Sequence, residues 1–206
     1  MADAHRPQKT PQKVAYHHGD LRSALLQAAV EVLHERGQRG LSLRECARRA
    51  GVSHAAPYRH FASKDALLVA IAGQGFGWLV EAGRAAMDTV TEPREKLDAY
   101  GVAYVRFAIE HPEHHRVMFT SELDRAAADA ADLEASDAAF NLLHEAAAAA
   151  APNEDPMIAA VSFWSLVHGL SMLILDGRIP PEHVAQDGQV EELTRAAFAQ
   201  WRGGGR

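Results

Sequence analysis

The sequence predicts an all-α fold, in which a three-helix helix-turn-helix head precedes a helical-bundle body. Apolar residues recur at i, i+3 and i+4 along most of the chain, and capping residues precede these runs. Glycine and proline separate one run from the next. With 206 residues, 48% of them hydrophobic, the chain is long enough to bury one good core or two small ones.

Charge is divided unevenly between the predicted domains, which are an arm over residues 1–16, a head over 17–63 and a body over 64–206. Residues 1–64 carry 11 Lys and Arg against 5 Asp and Glu, whereas the remainder carries 10 against 22. The chain is therefore a basic head on an acidic body. This asymmetry is expected when only one domain faces nucleic-acid phosphate.

The first predicted elements are a flexible arm and one helix. Residues 1–16 are polar with two prolines, and are either a solvated tail or an arm that touches the DNA backbone or minor groove. Asp20 can cap a helix whose apolar stripe runs for three turns from Leu21 to Leu33 and stops at Gly37. This helix should pack across the next two.

The helix-turn-helix begins at a capping box. Ser42 is followed three residues later by Glu45, so a helix should start at Leu43, with the hydroxyl and the carboxylate each bonding a backbone N–H. Cys46 lies on the buried stripe, where core packing is more expected than redox chemistry. Gly51 supplies a residue that can leave the helix with positive φ.

A second helix should follow the turn, beginning near Ser53 or His54. Pro57 would then lie in its first turn, where a missing N–H has no intrahelical partner anyway. Ser63 caps a long third helix whose first residue is Lys64, a cation beside N–H groups that also favour phosphate. Two helices joined by a short glycine turn indicate a unit whose second helix enters the DNA major groove.

The ordered motifs over residues 16–68 resemble the N-terminal domain of the tetracycline-repressor (TetR) family of bacterial transcription regulators. The motifs are Leu-Arg-x-x-Ala from Leu43, Ala-Gly-Val-Ser from Ala50, and Tyr58-x-His60-Phe61-x-x-Lys64. Further along, Trp164-x-x-x-His168-Gly169 resembles a motif of one branch of the family's C-terminal domains.

The resemblance implies DNA contacts at matching positions. Tyr58, His60 and Lys64 would contact phosphates, while Arg44 could bind guanine bidentately and His54 could donate or accept at a base edge. Ala55 and Ala56 offer only methyl contacts, unlike the polar residues of many relatives, so direct base readout looks sparse. The predicted DNA-binding residues are Ser42, Arg44, Ser53, His54, Ala55, Ala56, Tyr58, His60 and Lys64.

The body should contain six helices. A helix from Lys64 to about Val90 includes four glycines, which either admit close neighbours or let the helix bend. The others are predicted over 93–111, 112–123, 124–151, 156–176 and 190–201. The fourth of these is apolar on all sides, so it should pack on the core with one face and on a second subunit with the other.

TetR-like proteins dimerise through their last two helices, and they bind small molecules among the middle ones. The implied dimer interface is Phe163, Val167, Leu170, Ile174, Leu193, Ala197 and Trp201. The candidate pocket residues, for each of which plain core packing is the alternative, are Trp78, Tyr100, Tyr104, Phe107, Met118, Phe140, Trp164 and His168. His168 is the best polar candidate because an imidazole in the most apolar helix needs a partner.

Metal binding and catalysis are not expected. In the segment HPEHH only His111 with His114 or His115 could share a metal, so we expect a solvated helix entry, and His17-His18 lacks a nearby third ligand. Ser165 and His168 lie one helical turn apart, but no acid is nearby to orient the imidazole. No cofactor or metal is predicted.

The resemblance and the charge division favour a homodimeric repressor that a moderately apolar small molecule releases from an inverted-repeat operator. One alternative is an effector-independent architectural or activator protein, and a second, less favoured, is a hydrolase. With a single cysteine, no signal peptide and no run of 18 apolar residues free of charge, a soluble cytoplasmic protein is expected.

Overall fold

The computed structural model describes residues 18–120, 130–186 and 188–203. These residues form eight α-helices and two short 3-10 helices, and the described part of the chain contains no strand. The helices are α1 (His18–Gly40), α2 (Leu43–Arg49), α3 (Lys64–Met87), α4 (Pro93–Glu110), α5 (Pro112–Met118), α6 (Ala130–Ala150), α7 (Pro156–Leu175) and α8 (Gln189–Gly203). The predicted all-α class is confirmed, and the predicted arm over 1–16 lies outside the described residues.

The head contains α1, α2 and the start of α3, which pack together as the sequence predicts. The apolar stripe of α1 is buried, and the helix is interrupted at Gly37, whose φ is 62°. Ser42 caps α2 by accepting from the Glu45 N–H at 3.2 Å. Gly51 ends the helix with a φ of 68°, which glycine adopts without the steric cost of a Cβ.

The second helix of the helix-turn-helix is shorter than predicted. Residues 54–56 form a turn in which the Ala56 N–H donates to the Ser53 carbonyl at 3.0 Å, and a 3-10 helix spans only Pro57–Arg59. The prediction of an α-helix from Ser53 or His54 is therefore wrong. The expectation that the missing N–H of Pro57 would have no partner fails, because in a helix that starts after Ser53, residue 57 is the first whose N–H donates to the carbonyl four residues earlier, and Pro57 has none to donate.

Helix α3 leaves the head and continues into the body. It is one helix over 24 residues, and three of its four glycines, Gly73, Gly75 and Gly83, lie where a neighbouring side chain leaves no room for a Cβ, whereas Gly77 has open space around it. A Cβ on Gly75 would lie 2.6 Å from the sulfur of Met118 on α5, and one on Gly83 would lie 2.7 Å from the ring of Tyr100 on α4. Of the two explanations offered by the sequence, the close-neighbour one holds at these positions.

The body core lies among α3, α4, α6, α7 and α8. Its largest fully buried side chains include Tyr100 and Tyr104 from α4, Phe163 from α7 and Phe198 from α8. The rings of Phe163 and Phe198 are 5.1 Å apart and meet over Gly101, where a Cβ would collide with both. Small residues on α4 thus let α7 and α8 approach it closely.

The structure corrects two predictions about α7. The first is the expected absence of a long apolar run free of charge. The 20 residues of α7 contain no Asp, Glu, Lys or Arg, so this helix and α3 are both long and apolar enough to span a membrane by length and composition alone. Core helices satisfy the same criterion, and 61% of the most apolar 18-residue stretch of α3 is buried against 33% for that of α7.

The second corrected prediction is the part of the dimer interface assigned to α7. Phe163, Val167 and Leu170 are buried within the protomer, so they cannot form the dimer interface predicted for them.

Helix α5 also departs from expectation. It spans Pro112–Met118 rather than 112–123, and the residues after Thr120 lie outside the described part until α6 begins. His114 and His115 are buried, with exposed fractions of 5% and 0%, because α5 packs against α3. The prediction of a solvated helix entry is therefore wrong.

Candidate functional site

Most of the predicted DNA-binding residues are exposed on the head. Arg44 lies on the outer face of α2, and Tyr58, 54% exposed, lies on the 3-10 helix. Their neighbours on the inner side of the head are buried: Leu43, Cys46, Pro57 and Phe61. Six of the predicted set are exposed, and three are half-buried: Ala56, His60 and Lys64.

Lys64 connects the first residue of α3 to the end of α1. Its Nζ donates to the Gln38 carbonyl at 2.6 Å, and this carbonyl, near the end of α1, also accepts from the Leu41 N–H at 3.3 Å. An ammonium group has three donors, which leaves donors for an anion. The phosphate contact implied by the family pattern therefore stays a prediction, and Lys64 also has a structural role.

Ion pairs within the head leave some basic groups without an acidic partner. The Glu45 carboxylate accepts from Arg48 at 2.7 and 2.8 Å and from Arg49 at 3.2 Å, and these bonds lower its pKa to about 2. Arg44 and Arg59, in contrast, have no ion-pair partner among the described residues. Arg59, which is exposed on the 3-10 helix, is absent from the predicted DNA-binding set.

A cavity of about 500 Å³ opens in the body between α3, α4, α6 and α7. Tyr100, Tyr104, Met118, Phe140 and Trp164 line it, as the candidate set proposed. The other described lining residues are Phe76, Leu79, Phe119, Ser136, Asp137, Ala139, Asn141 and Leu143.

Three candidate pocket residues lie elsewhere. Trp78 and Phe107 line a separate groove of about 400 Å³ beside α8, and His168 lies behind the cavity wall rather than in it. Sequence reasoning missed Phe76 and Phe119, whose rings are 5.7 Å apart at the cavity. Phe76 lies two residues from Trp78, so the stripe that selected Trp78 assigned Phe76 to another face.

A polar group deep in the cavity is satisfied from within the protein. Trp164 donates its Nε1–H to the Tyr104 hydroxyl at 3.3 Å, and that hydroxyl lies 2.9 Å from Nδ1 of His168. With Trp164 as donor, the hydroxyl proton is available for His168 Nδ1. Burial raises the pKa of Tyr104 and lowers that of His168, so both groups are neutral near pH 7.

His115 lies against this group and is fully buried. Its ring stacks on His168 with centroids 5.2 Å apart, and both of its nitrogens lack a hydrogen-bond partner among the described residues. Burial, with smaller contributions from His168 and Arg116, lowers the pKa of His115 to about 4. Burial also lowers the pKa of His114 to about 4, although its Nε2 is 3.1 Å from Gln74 Oε1.

Serine and histidine on α7 do not form a catalytic pair. The Ser165 hydroxyl donates to the Val161 carbonyl at 2.8 Å, while His168 Nδ1 is paired with Tyr104. Within the described residues no group of three or more His, Cys, Asp or Glu could hold a metal ion.

Comparison with known proteins gives two matching family models. "Bacterial regulatory proteins, tetR family" matches residues 25–71, and "Tetracyclin repressor-like, C-terminal domain" matches residues 97–198. The likeness of residues 164–169 to one branch of such C-terminal domains stays a prediction.

Individual relatives agree with this. The HTH-type transcriptional activator FasR of Mycolicibacterium smegmatis is 36% identical over 101 residues, 49% of this chain and 46% of FasR. The HTH-type transcriptional repressor KstR2 of the same species is 32% identical over 104 residues, half of each chain. The chain thus spans about half the length of the curated relatives it matches.

One solved structure is similar over nearly the whole chain. It is a protein of unknown function from Rhodococcus sp. RHA1, 34% identical, with a TM-score of 0.73 over 93% of this chain and 98% of that one. Since the head and the body each match their own model, and the fold is shared throughout, the chain belongs to the TetR family.

Proposed function

We propose that this protein is a sequence-specific transcriptional regulator of the bacterial cytoplasm, which binds an inverted-repeat operator as a homodimer and is released by a small molecule. The observation that carries the proposal is the path of α3. This single helix begins at Lys64 in the head and contributes Phe76 and Leu79 to the cavity wall. A change at the cavity can therefore reach the DNA-binding unit through one continuous element.

The head supports DNA binding through its exposed groups and its charge. Arg44 has no acidic partner within the described part of the chain and can bind guanine in the major groove, while Tyr58 and Lys64 can contact phosphates. Because only a short 3-10 helix follows the turn, few side chains reach base edges. Arg44 should consequently carry a large share of the sequence specificity.

The exposed apolar face of α7 supports a homodimer. Ile158 is 65% exposed, Met157 49%, Leu173 48% and Val161 43%, which is unusual for side chains of this size on one helix of a soluble protein. Trp201 of α8 is 44% exposed as well. Two copies that bury these faces about a two-fold axis would present two heads to an inverted repeat.

The cavity favours a ligand-responsive regulator over the effector-independent alternative. A body packed without voids would support an architectural protein, whereas a space of about 500 Å³ falls in the range of small-molecule sites. A ligand releases DNA only if it binds more tightly to a conformation that fits the operator poorly. The relatives include an activator and a repressor, and release from a repressed operator is the mode we propose.

Selection of duplex sites from a random pool tests the proposal. The purified protein should recover an inverted repeat. Arg44→Ala should relax the preference at one base position in each half-site, whereas Lys64→Ala should weaken binding to all sites alike. Arg84→Ala is the matched control, because it removes an exposed positive charge near the far end of α3, away from the head.

Two outcomes separate the readings. Recovery of an inverted repeat, with Arg84→Ala unchanged, establishes the regulator. Recovery of no common sequence, with weak binding that falls steeply as salt rises, means that the head is a general phosphate binder and refutes the proposal.

A further inference from the structure

We infer that the ligand of the cavity is an amphipathic organic cation, with an apolar body among the aromatic rings and its positive charge at the cavity mouth beside Asp137. This inference names the ligand class for the cavity and rests on the proposed function only in calling that ligand an effector. It goes beyond the moderately apolar molecule expected from the sequence.

Aromatic side chains dominate the interior of the cavity. The six aromatic lining residues come from five different parts of the body: Phe76, Tyr100, Tyr104, Phe119, Phe140 and Trp164. Aromatic faces attract cations through the ring quadrupole, and they also bury the apolar part of a ligand. Leu79, Ala139 and Leu143 complete an apolar surface between them.

The charge among the described lining residues is of one sign only, negative. Asp137 is the one acidic side chain among the described lining residues, none of which is Lys or Arg. It is exposed on α6 and forms no ion pair with any described residue. An anion entering this space would be desolvated without a cationic partner, whereas a cation would meet an unpaired carboxylate.

The polar groups are arranged along the depth of the cavity. The Tyr104 hydroxyl, deep inside, is engaged by Trp164 and His168, so this group needs no hydrogen bond from the ligand. Three polar side chains that have no hydrogen-bond partner among the described residues, Ser136, Asp137 and Asn141, lie together on α6 and are half-buried or exposed. A ligand that complements this arrangement is apolar at its inner end and charged at its outer end.

The histidines beside the cavity add no positive charge. His168 and His115 lie behind Tyr104 and Phe119, and burial lowers the pKa of both imidazoles. They are therefore neutral near pH 7, and none of the described lining residues repels a cation. Arg116, which follows His115 on α5, is paired with Glu113 at 3.6 Å.

The test uses three naphthalene compounds that differ chiefly in charge: (1-naphthylmethyl)trimethylammonium, 1-naphthylmethanol and 1-naphthylacetate. Isothermal titration of the full-length protein at pH 7 should give an affinity for the ammonium compound at least about tenfold above that for the carboxylate. Asp137→Asn should weaken ammonium binding roughly threefold to tenfold and leave the alcohol unchanged.

Two further variants locate the site. Phe140→Leu keeps an apolar wall but removes a ring, so it should weaken the ammonium compound more than the alcohol. Glu145→Gln removes an exposed carboxylate from the same helix outside the cavity lining and should change neither. Equal affinity for the three compounds, absence of ammonium binding, or an unchanged preference in Asp137→Asn would each overturn the inference.

The outcome of this ligand titration is independent of the outcome of the operator selection that tests the proposed function. If an operator is recovered but the cavity prefers the neutral or anionic compound, the regulator stands and the ligand class is wrong. If no operator is recovered and the ammonium compound still binds through Asp137, the ligand class stands and the regulator falls.

Discussion

Replacing His115 by Phe should stabilise the protein at mildly acidic pH. His115 is fully buried with neither ring nitrogen bonded among the described residues, and its pKa is lowered from 6.5 to about 4. Between about pH 6.5 and pH 4, His115 is protonated in the unfolded chain but neutral in the folded chain. The free energy of unfolding therefore decreases as pH falls through this range. At pH 5 the loss is about 2 kcal/mol, from 1.5 units at about 1.36 kcal/mol each.

Urea unfolding at pH 7 and pH 5, at one fixed protein concentration, measures this loss. His114 has a similarly lowered pKa and remains in the variant, so His115→Phe should lose roughly half as much stability as the parent between the two pH values. His183→Phe, at an exposed histidine, is the control and should leave the loss unchanged. The reasoning is refuted if His115→Phe and the parent lose the same free energy.

Three further predictions concern packing, capping and reactivity. Gly101→Ala should lower the free energy of unfolding in urea by about 1–3 kcal/mol, because its Cβ meets two phenylalanine rings. Gly77→Ala, with open space around it, should raise that free energy by up to about 1 kcal/mol. Equal effects of the two variants would contradict the packing. Ser42→Ala should cost about 1 kcal/mol by removing the cap of α2, and an unchanged midpoint would contradict that role. The Cys46 thiol, whose pKa burial raises to about 11, should react with a thiol-specific disulfide reagent only on unfolding; rapid reaction of the folded protein would contradict its burial.

Local chemistry is the part of the fold that the sequence predicts well. Ser42 and Ser63 each cap the helix predicted for them, because a cap depends on residues within one turn. The start of α4 at Pro93 follows for the same reason. Two local predictions failed. Asp20 lies inside α1, which includes His18, rather than capping it. The helix expected after Gly51 is shortened by Pro57, which has no N–H to donate.

Positions that depend on distant partners could not be predicted in this way. Nothing near His115 in the sequence indicates that α3 and α7 enclose it, so a run of histidines and glutamate looked solvated. Helix α7 posed a similar problem, because apolar residues on all its faces do not reveal which face the protomer covers. Phe163 and Val167 face the core, and Ile158 and Val161 remain exposed.

Helix α5 gives the cavity a second and shorter route to the head. Met118, at its end, lines the cavity, and Glu113, near its start, bonds His34 of α1 at 3.2 Å. Five residues of α-helix separate them, a rise of about 7.5 Å. The exposed His34–Glu113 pair contributes little energy by itself, but α5 also packs directly on α1. We therefore expect a ligand that displaces Met118 to shift α5, which already contacts the head, whereas a displacement of α3 at the cavity must be transmitted along several helical turns.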